Sequence, residues 1–284
     1  MVEFYIQSLT RQVRINLFLG YSSVILILLL CSALISTGIT NAASLNNVLI
    51  ISIDALHPSA LEKPTASTIQ RMMRSYAHTL KGLSTNPPKT LIAHTAMFTG
   101  LDPKESGNTD NQWQPGQSTI GKQTIFDTAK TYGFSTGLFY AKQKLSFLVN
   151  KALDAHNWSK DFAIEHASEF FKTPGRHFVF LHVSGLDEVG PEYGWLSSEY
   201  LEELMYIDEF LAPVIAYVEK QRNYLIIITS DHAGHGKIHG SQNAEDFKLP
   251  FIIYSDVRNV NSFQDIQYNV LDLKGILDSL LLSP

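Results

Sequence analysis

Asn47-Val48-Leu49-Ile50-Ile51-Ser52-Ile53-Asp54 is a continuous aliphatic, β-branched run that stops on a carboxylate. A strand without polar alternation must be covered on both faces, which is how buried parallel strands read, and ligands in such sheets collect at the carboxyl ends of the strands. The same pattern returns at Asn223–Asp231 (NYLIIITSD) and, with aromatic residues, at His177–Ser184 (HFVFLHVS). Shorter strands are expected at Leu80–Leu83 and Ser135–Tyr140. Between them, helical spacing predicts helices over Thr65–His78, Thr124–Tyr132, Asp161–Lys172 and Ser197–Lys220, with a last apolar helix at the C-terminus. Alternating strands and helices give an α/β class: a three-layer α/β/α sandwich around a mostly parallel central sheet.

With 284 residues, 45% hydrophobic, the chain is long enough for one large α/β domain, and the absence of repeats and low-complexity linkers favours a single one from about Asn46 to Pro284. The net charge of −5, without a basic run, gives no support for a nucleic-acid-binding surface. The single cysteine, Cys31, lies in the N-terminal apolar segment, so the body has no thiol for disulfides, a thiolate zinc cage or cysteine catalysis. Residues 1–44 read as a targeting segment: Arg11 and Arg14, an apolar stretch from Ile15 to about Thr37, then small residues with cleavage near Ala42 or Ala43. Uncleaved, the stretch is long enough to serve as a membrane anchor; either way the body is expected to be exported, to the periplasm or outside the cell.

The chemistry concentrates in Pro87–Asn111, PPKTLIAHTAMFTGLDPKESGNTDN. Two prolines force an extended approach, Thr90 opens a short run of helix formers, and Gly100 supplies the stop. A hydroxyl at a helix start meets unpaired backbone N–H groups and the positive end of the dipole, where an anion is stabilised. In isolation such a threonine is most often an N-cap.

The order Thr90, His94, Thr99-Gly100, Pro103, Gly107 resembles the nucleophile segment of the alkaline phosphatase superfamily, in the branch of nucleotide pyrophosphatases and type I phosphodiesterases. The resemblance implies that Thr90 attacks phosphorus and that the backbone N–H of Leu91 helps hold the developing charge. It extends to the metal positions. Asp54, followed by the small Ala55, matches the aspartate closing the first strand; Asp231-His232 match the Asp-His pair; His239, in IHG, matches the later histidine, leaving His235 a structural role. Lys142 and Lys144, after the strand ending at Tyr140, resemble a lysine-bearing turn that reaches the substrate anion in related enzymes, with Lys142 the better candidate. The family's D-x-x-G-H element appears as Asp187 to Gly190, but Pro191 replaces the histidine.

The resemblance therefore implies a hydrolase of small-molecule phosphate esters with two divalent ions, zinc or manganese. One ion would have Asp54, Thr90, Asp231 and His232; the other only Asp187 and His239, a weak set that would recruit Glu188 or Glu192. Formylglycine sulfatases are the nearest rival, but they need a cysteine or serine where Thr90 stands. A family member that binds a ligand without turnover is the second alternative, and Pro191 is the feature that favours it. His182, on a strand five residues before Asp187, reads as a core residue.

Overall fold

The computed structural model describes residues 44–282, and the expected targeting or anchor segment lies outside the described residues. Among the described residues nine strands occur in chain order: β1 (Asn47–Ile53), β2 (Ala77–Leu83), β3 (Ser135–Tyr140), β4 (Ala155–Trp158), β5 (His177–Val183), β6 (Tyr224–Thr229), β7 (Gly234–His235), β8 (Ile238–His239) and β9 (Lys248–Ser255). Seven of them form one sheet in the order β2-β9-β6-β1-β5-β3-β4, and β7 pairs with β8 in a separate hairpin. β9 runs antiparallel to both its neighbours, β2 and β6; the pairs β6–β1, β1–β5, β5–β3 and β3–β4 are parallel.

Every residue of β1 is buried, as its unbroken aliphatic run requires. Val48 and Ile50 face one core, which is closed by helices at Thr90–Thr99, Ile125–Thr131 and Asp272–Leu282; Leu49, Ile51 and Ile53 face a second core, closed by Ser67–Ser75, Ala163–Phe171 and Ser198–Gln221. This is the three-layer α/β/α sandwich with a mostly parallel sheet. No helix among the described residues is long and apolar enough to cross a membrane.

Three elements differ from the sequence reading. The helix expected over Thr65–His78 ends at Ser75, because Ala77, His78 and Thr79 are drawn into β2 by pairing with Ile253, Ile252 and Phe251 of β9. A four-residue edge strand, β4, was too short to carry a pattern. The stretch around Pro191, for which no helix is expected, forms one at Gly185–Tyr193. Its breakers have local compensation. A Cβ on Gly185 would collide with the Glu203 side chain and one on Gly190 would come within 2.9 Å of the Trp195 ring, so both glycines serve close packing. Pro191 forgoes one bond, to the Asp187 carbonyl one turn earlier.

Candidate active site and metal centre

The site is built by adjacency. The four neighbouring strands β6, β1, β5 and β3 lie next to one another in the sheet, and each hands on a charged side chain just past its carboxyl end: Asp231, Asp54, Asp187 and Lys142. Strands about 4.8 Å apart bring these ends within reach of one another. Thr90 enters from the helix layer above, and His239 from the β7–β8 hairpin. That hairpin is fixed by Trp195, whose ring lies against Gly234, where a Cβ would come within 2.4 Å of it, and whose centroid is 5.5 Å from the ring of His239.

Each carboxylate is held by one oxygen and leaves the other open. Asp231 Oδ1 accepts the N–H groups of Ala55 (3.2 Å) and His232 (3.0 Å). Asp54 Oδ2 faces His182 Nε2 at 3.0 Å and Lys142 Nζ at 2.6 Å. Asp187 Oδ2 also meets Lys142 Nζ. Asp231 Oδ2, Asp54 Oδ1 and Asp187 Oδ1 are buried without a hydrogen-bond partner among the described residues. Buried carboxylate oxygens are rarely left so, and orphans of this kind call for a cation.

The histidines settle their own tautomers. His232 Nδ1 lies 3.0 Å from the Ala233 carbonyl, an acceptor only, so Nδ1 carries the proton and Nε2 offers a lone pair. That nitrogen stands 3.4 Å from Asp54 Oδ1, 3.6 Å from Asp231 Oδ2 and 3.7 Å from Asp187 Oδ1. His239 Nε2 is 3.5 Å from Asp187 Oδ1. Two donor groups close enough to hold a metal ion result: Asp54, Asp231 and His232, all buried, and Asp187, His232 and His239, half open to solvent.

Two further histidines brace this arrangement. The Ala141 N–H donates to His182 Nδ1 at 3.3 Å, so His182 presents an Nε2–H to Asp54 and turns its open oxygen inward. His94 donates from Nδ1 to the Thr90 carbonyl (2.7 Å) and accepts from the Ser52 hydroxyl at Nε2 (2.9 Å), tying the first turn of the Thr90 helix to β1. Burial lowers the His94 pKa to about 4, which keeps it neutral in that bridge. His182 read as a core residue in the sequence; the signal for it was its register opposite Ser52, two residues before Asp54, which only the sheet order reveals.

Thr90 is not a helix cap. The N-cap is Lys89, without a side-chain bond, and Thr90 is the first helical residue, with Gly100 ending the helix in the left-handed region at φ 68°. The Thr90 hydroxyl, buried at 3% exposure, instead receives Lys142 Nζ at 3.4 Å. The Leu91 N–H, read from sequence as a donor to the reacting group, is bonded to Asn111 Oδ1 at 2.9 Å. Asn111 thus stands beside the start of the Thr90 helix with its amide donors unused among the described residues; sequence reasoning passed over it.

Lys142 lies within the same cluster, tied to three of its members. An ammonium has three donors, and Asp54, Asp187 and Thr90 take them. Burial works against its charge, but Asp54 and Asp187 outweigh it and raise its pKa. The two carboxylates respond differently to the same lysine. Burial pushes Asp54 up, yet Lys142 and His182 hold it well below the usual range. Asp187 is pushed up, by burial and by the neighbouring Asp54 charge.

Glu188 and Glu192, the carboxylates expected to complete a second ion site, are elsewhere. Glu188 is paired with Lys160 at 3.0 Å with 54% of its side chain exposed, and Glu192 is exposed, its side chain bonded to that of Tyr193 and its backbone carbonyl to Lys237. His235 is bonded through Nδ1 to Asp246 at 2.6 Å, outside both donor groups.

Comparison with known proteins places this geometry. The family model described as type I phosphodiesterase / nucleotide pyrophosphatase matches residues 48–247, a span that contains every residue of the cluster. No curated protein matches the chain. Among solved structures, murine ectonucleotide pyrophosphatase / phosphodiesterase 5, an inactive threonine-to-alanine variant in complex with AMP, superposes with a TM-score of 0.70 at 14% identity, covering 84% of this chain and 95% of that one. The C-terminal periplasmic domain of EptC from Escherichia coli gives 0.64 at 12% identity over 84% and 82% of the two chains. The 2-O glycosaminoglycan sulfatase BT1596 gives 0.68 at 11% identity over 84% and 71%. These likenesses establish a shared alkaline phosphatase-like fold, and with the match across most of its length, the chain belongs to the type I phosphodiesterase / nucleotide pyrophosphatase family.

Proposed function

We propose that the protein is a metal-dependent hydrolase of phosphate esters that uses Thr90 as nucleophile. The observation that carries this reading is the pair of partnerless carboxylate oxygens, Asp54 Oδ1 and Asp231 Oδ2, gathered around His232 Nε2 among buried side chains at the strand ends. Carboxylate oxygens and one imidazole nitrogen are a donor set suited to zinc or manganese. A divalent ion held there would polarise the ester and favour the ionised nucleophile.

The chain's own residues supply the rest. The Thr90 Oγ attacks phosphorus in line, the ester oxygen leaves, and the phosphothreonine is then hydrolysed by water, returning the free hydroxyl. Lys142, 3.4 Å from that oxygen, keeps positive charge beside it as it loses its proton. The helix start and the Asn111 amide lie where charge develops on the transferring group. The inactive threonine-to-alanine variant of the murine relative supports a threonine in this role, and the AMP it binds supports a small phosphate ester as ligand. An exported location agrees with the targeting segment read from the sequence and with the periplasmic domain of EptC.

The test is a panel of chromogenic phosphate diesters, phosphate monoesters and a sulfate ester, assayed after chelation and again with zinc or manganese restored. Turnover of a phosphate ester should depend on the added metal and fall by more than about 10³-fold in Thr90→Ala. The fold should survive, because this hydroxyl caps nothing. Metal-independent turnover, or an alanine variant at near wild-type rate, would refute the assignment. Ligand binding without turnover, the alternative that Pro191 favours, would appear as affinity for the panel compounds with no hydrolysis.

A further inference from the structure

We propose that Lys142 is the second cation of this centre, so that the chain holds one divalent ion where the sequence pattern led us to expect two. The inference rests on the reading of the site as metal-dependent. It begins with the arithmetic of donors. The two donor groups share His232, and His232 has one lone pair to give, on Nε2, since Nδ1–H is committed to the Ala233 carbonyl. Once that nitrogen serves Asp54 and Asp231, the other position keeps only Asp187 and His239. The residue that would add a ligand there is Pro191, four residues after Asp187 on the same helix and so on the same face, and it has no donor atom. Glu188 and Glu192 do not substitute, as their placement shows.

The ammonium of Lys142 stands where that second charge is needed. It contacts Asp187 Oδ2, Asp54 Oδ2 at 2.6 Å and Thr90 Oγ at 3.4 Å, and these three contacts use all its donors. Its side chain is 17% exposed, so the charge is enclosed with its partners. It binds the outer oxygen of Asp54 and leaves the inner one to the Asp231–His232 set. The charges also balance: three carboxylates against one divalent ion and one ammonium. A second ion at Asp187 would sit beside the ammonium and share its carboxylate, with like charges in contact. The open oxygen of Asp187, 3.5 Å from His239 Nε2, is what a second ion would use. Lys142 is therefore a positioning residue: a fixed cation that orients Asp54, Asp187 and the Thr90 hydroxyl.

Counting ions tests this directly. The full-length protein, stripped with chelator and titrated with zinc, is read by calorimetry and by elemental analysis after gel filtration. Wild type should take one equivalent. Lys142→Met, similar in length but uncharged, should take two, because Asp187, His239 and the freed Asp54 oxygen then face an empty position; Lys142→Arg, which restores the charge, should return to one. Two tight equivalents in the wild type overturn the proposal. So does a folded methionine variant that still takes one. If the methionine variant does not fold, the wild-type count and the arginine variant still decide. Ester turnover is measured on the same samples: one equivalent without hydrolysis fails the proposed activity and leaves the lysine assignment standing, whereas two equivalents with hydrolysis does the reverse.

Discussion

The two halves of the site are made of the same residue types and differ in how they are held. Asp54, Asp231 and His232 follow the two central strands β1 and β6, are at most 1% exposed, and each has one polar atom fixed by a neighbour and one open atom aimed inward. Asp187 and His239 sit on a short proline-containing helix and a two-residue hairpin, with side chains 14% and 34% exposed. Only the first half is anchored by the sheet itself. Pre-organised ligands lose little freedom on binding a metal, whereas ligands on short peripheral elements must be ordered when it arrives. One half is therefore built as a metal site, and the other, closed by a lysine, as its partner.

The largest test of this contrast compares Asp231→Asn with Asp187→Asn. Loss of a second-layer partner typically weakens metal binding by about 10–100-fold, so loss of a direct ligand should exceed about 100-fold. Asp231→Asn should reach that loss in zinc affinity, and Asp187→Asn should stay within about 10-fold. Competition with a chromophoric chelator measures both. Equal losses, or the reverse order, would show that the half-exposed group is the principal site. The metal-free Asp231→Asn protein should be no less stable than wild type, because the change removes one of three clustered negative charges.

A smaller effect is expected behind the buried half. His182 donates to Asp54 Oδ2 and accepts from the Ala141 N–H, so it sets which Asp54 oxygen is free. His182→Leu should weaken zinc binding by about 10–100-fold. His182→Gln, which keeps an N–H donor of similar reach, should recover part of that loss. A leucine variant with wild-type affinity would reduce His182 to packing.

The same contrast explains what could be read before the fold was known. The strands ending in Asp54 and Asp231 are legible because aliphatic runs that stop on a carboxylate are local patterns, and both strands have no exposed face. Thr90 was legible as a helix start from Pro87, Pro88 and Gly100, although its hydroxyl proved to face Lys142 rather than cap the helix. What stayed hidden depends on pairing across the chain. Asn111 reaches Leu91 across twenty residues, and His182 reaches Asp54 across 128. The commitment of Lys142 to two carboxylates could not be inferred from a lysine after a strand, which is ordinarily solvated. The helix carrying Asp187 was masked by two glycines and a proline, whose compensation lies in Glu203 and Trp195.

The last prediction takes the comparison outside the site, to a carboxylate that resembles Asp231 in burial and differs in having no open oxygen. Asp208, 2% exposed on the helix Ser198–Gln221, accepts the N–H of Thr68 at 2.8 Å through Oδ2 and that of Ile69 at 2.9 Å through Oδ1. Those groups are the start of the helix Ser67–Ser75, whose own N-cap, Ala66, has no side-chain bond to give. Asp208 thus caps another helix from across the layer, where a charged acceptor also favours the positive end of the dipole. With both oxygens satisfied it has nothing to offer a metal. Asp208→Ala should cost about 2 kcal/mol, the upper range for a lost cap, because a buried and a partly buried N–H group lose their acceptor. Urea unfolding should show a lower midpoint at unchanged slope. Zinc affinity of the folded protein should remain within error of wild type. A variant that keeps its stability would deny Asp208 the capping role, and one that loses zinc affinity while folded would show that burial alone, and not the open oxygen, is what distinguishes Asp231.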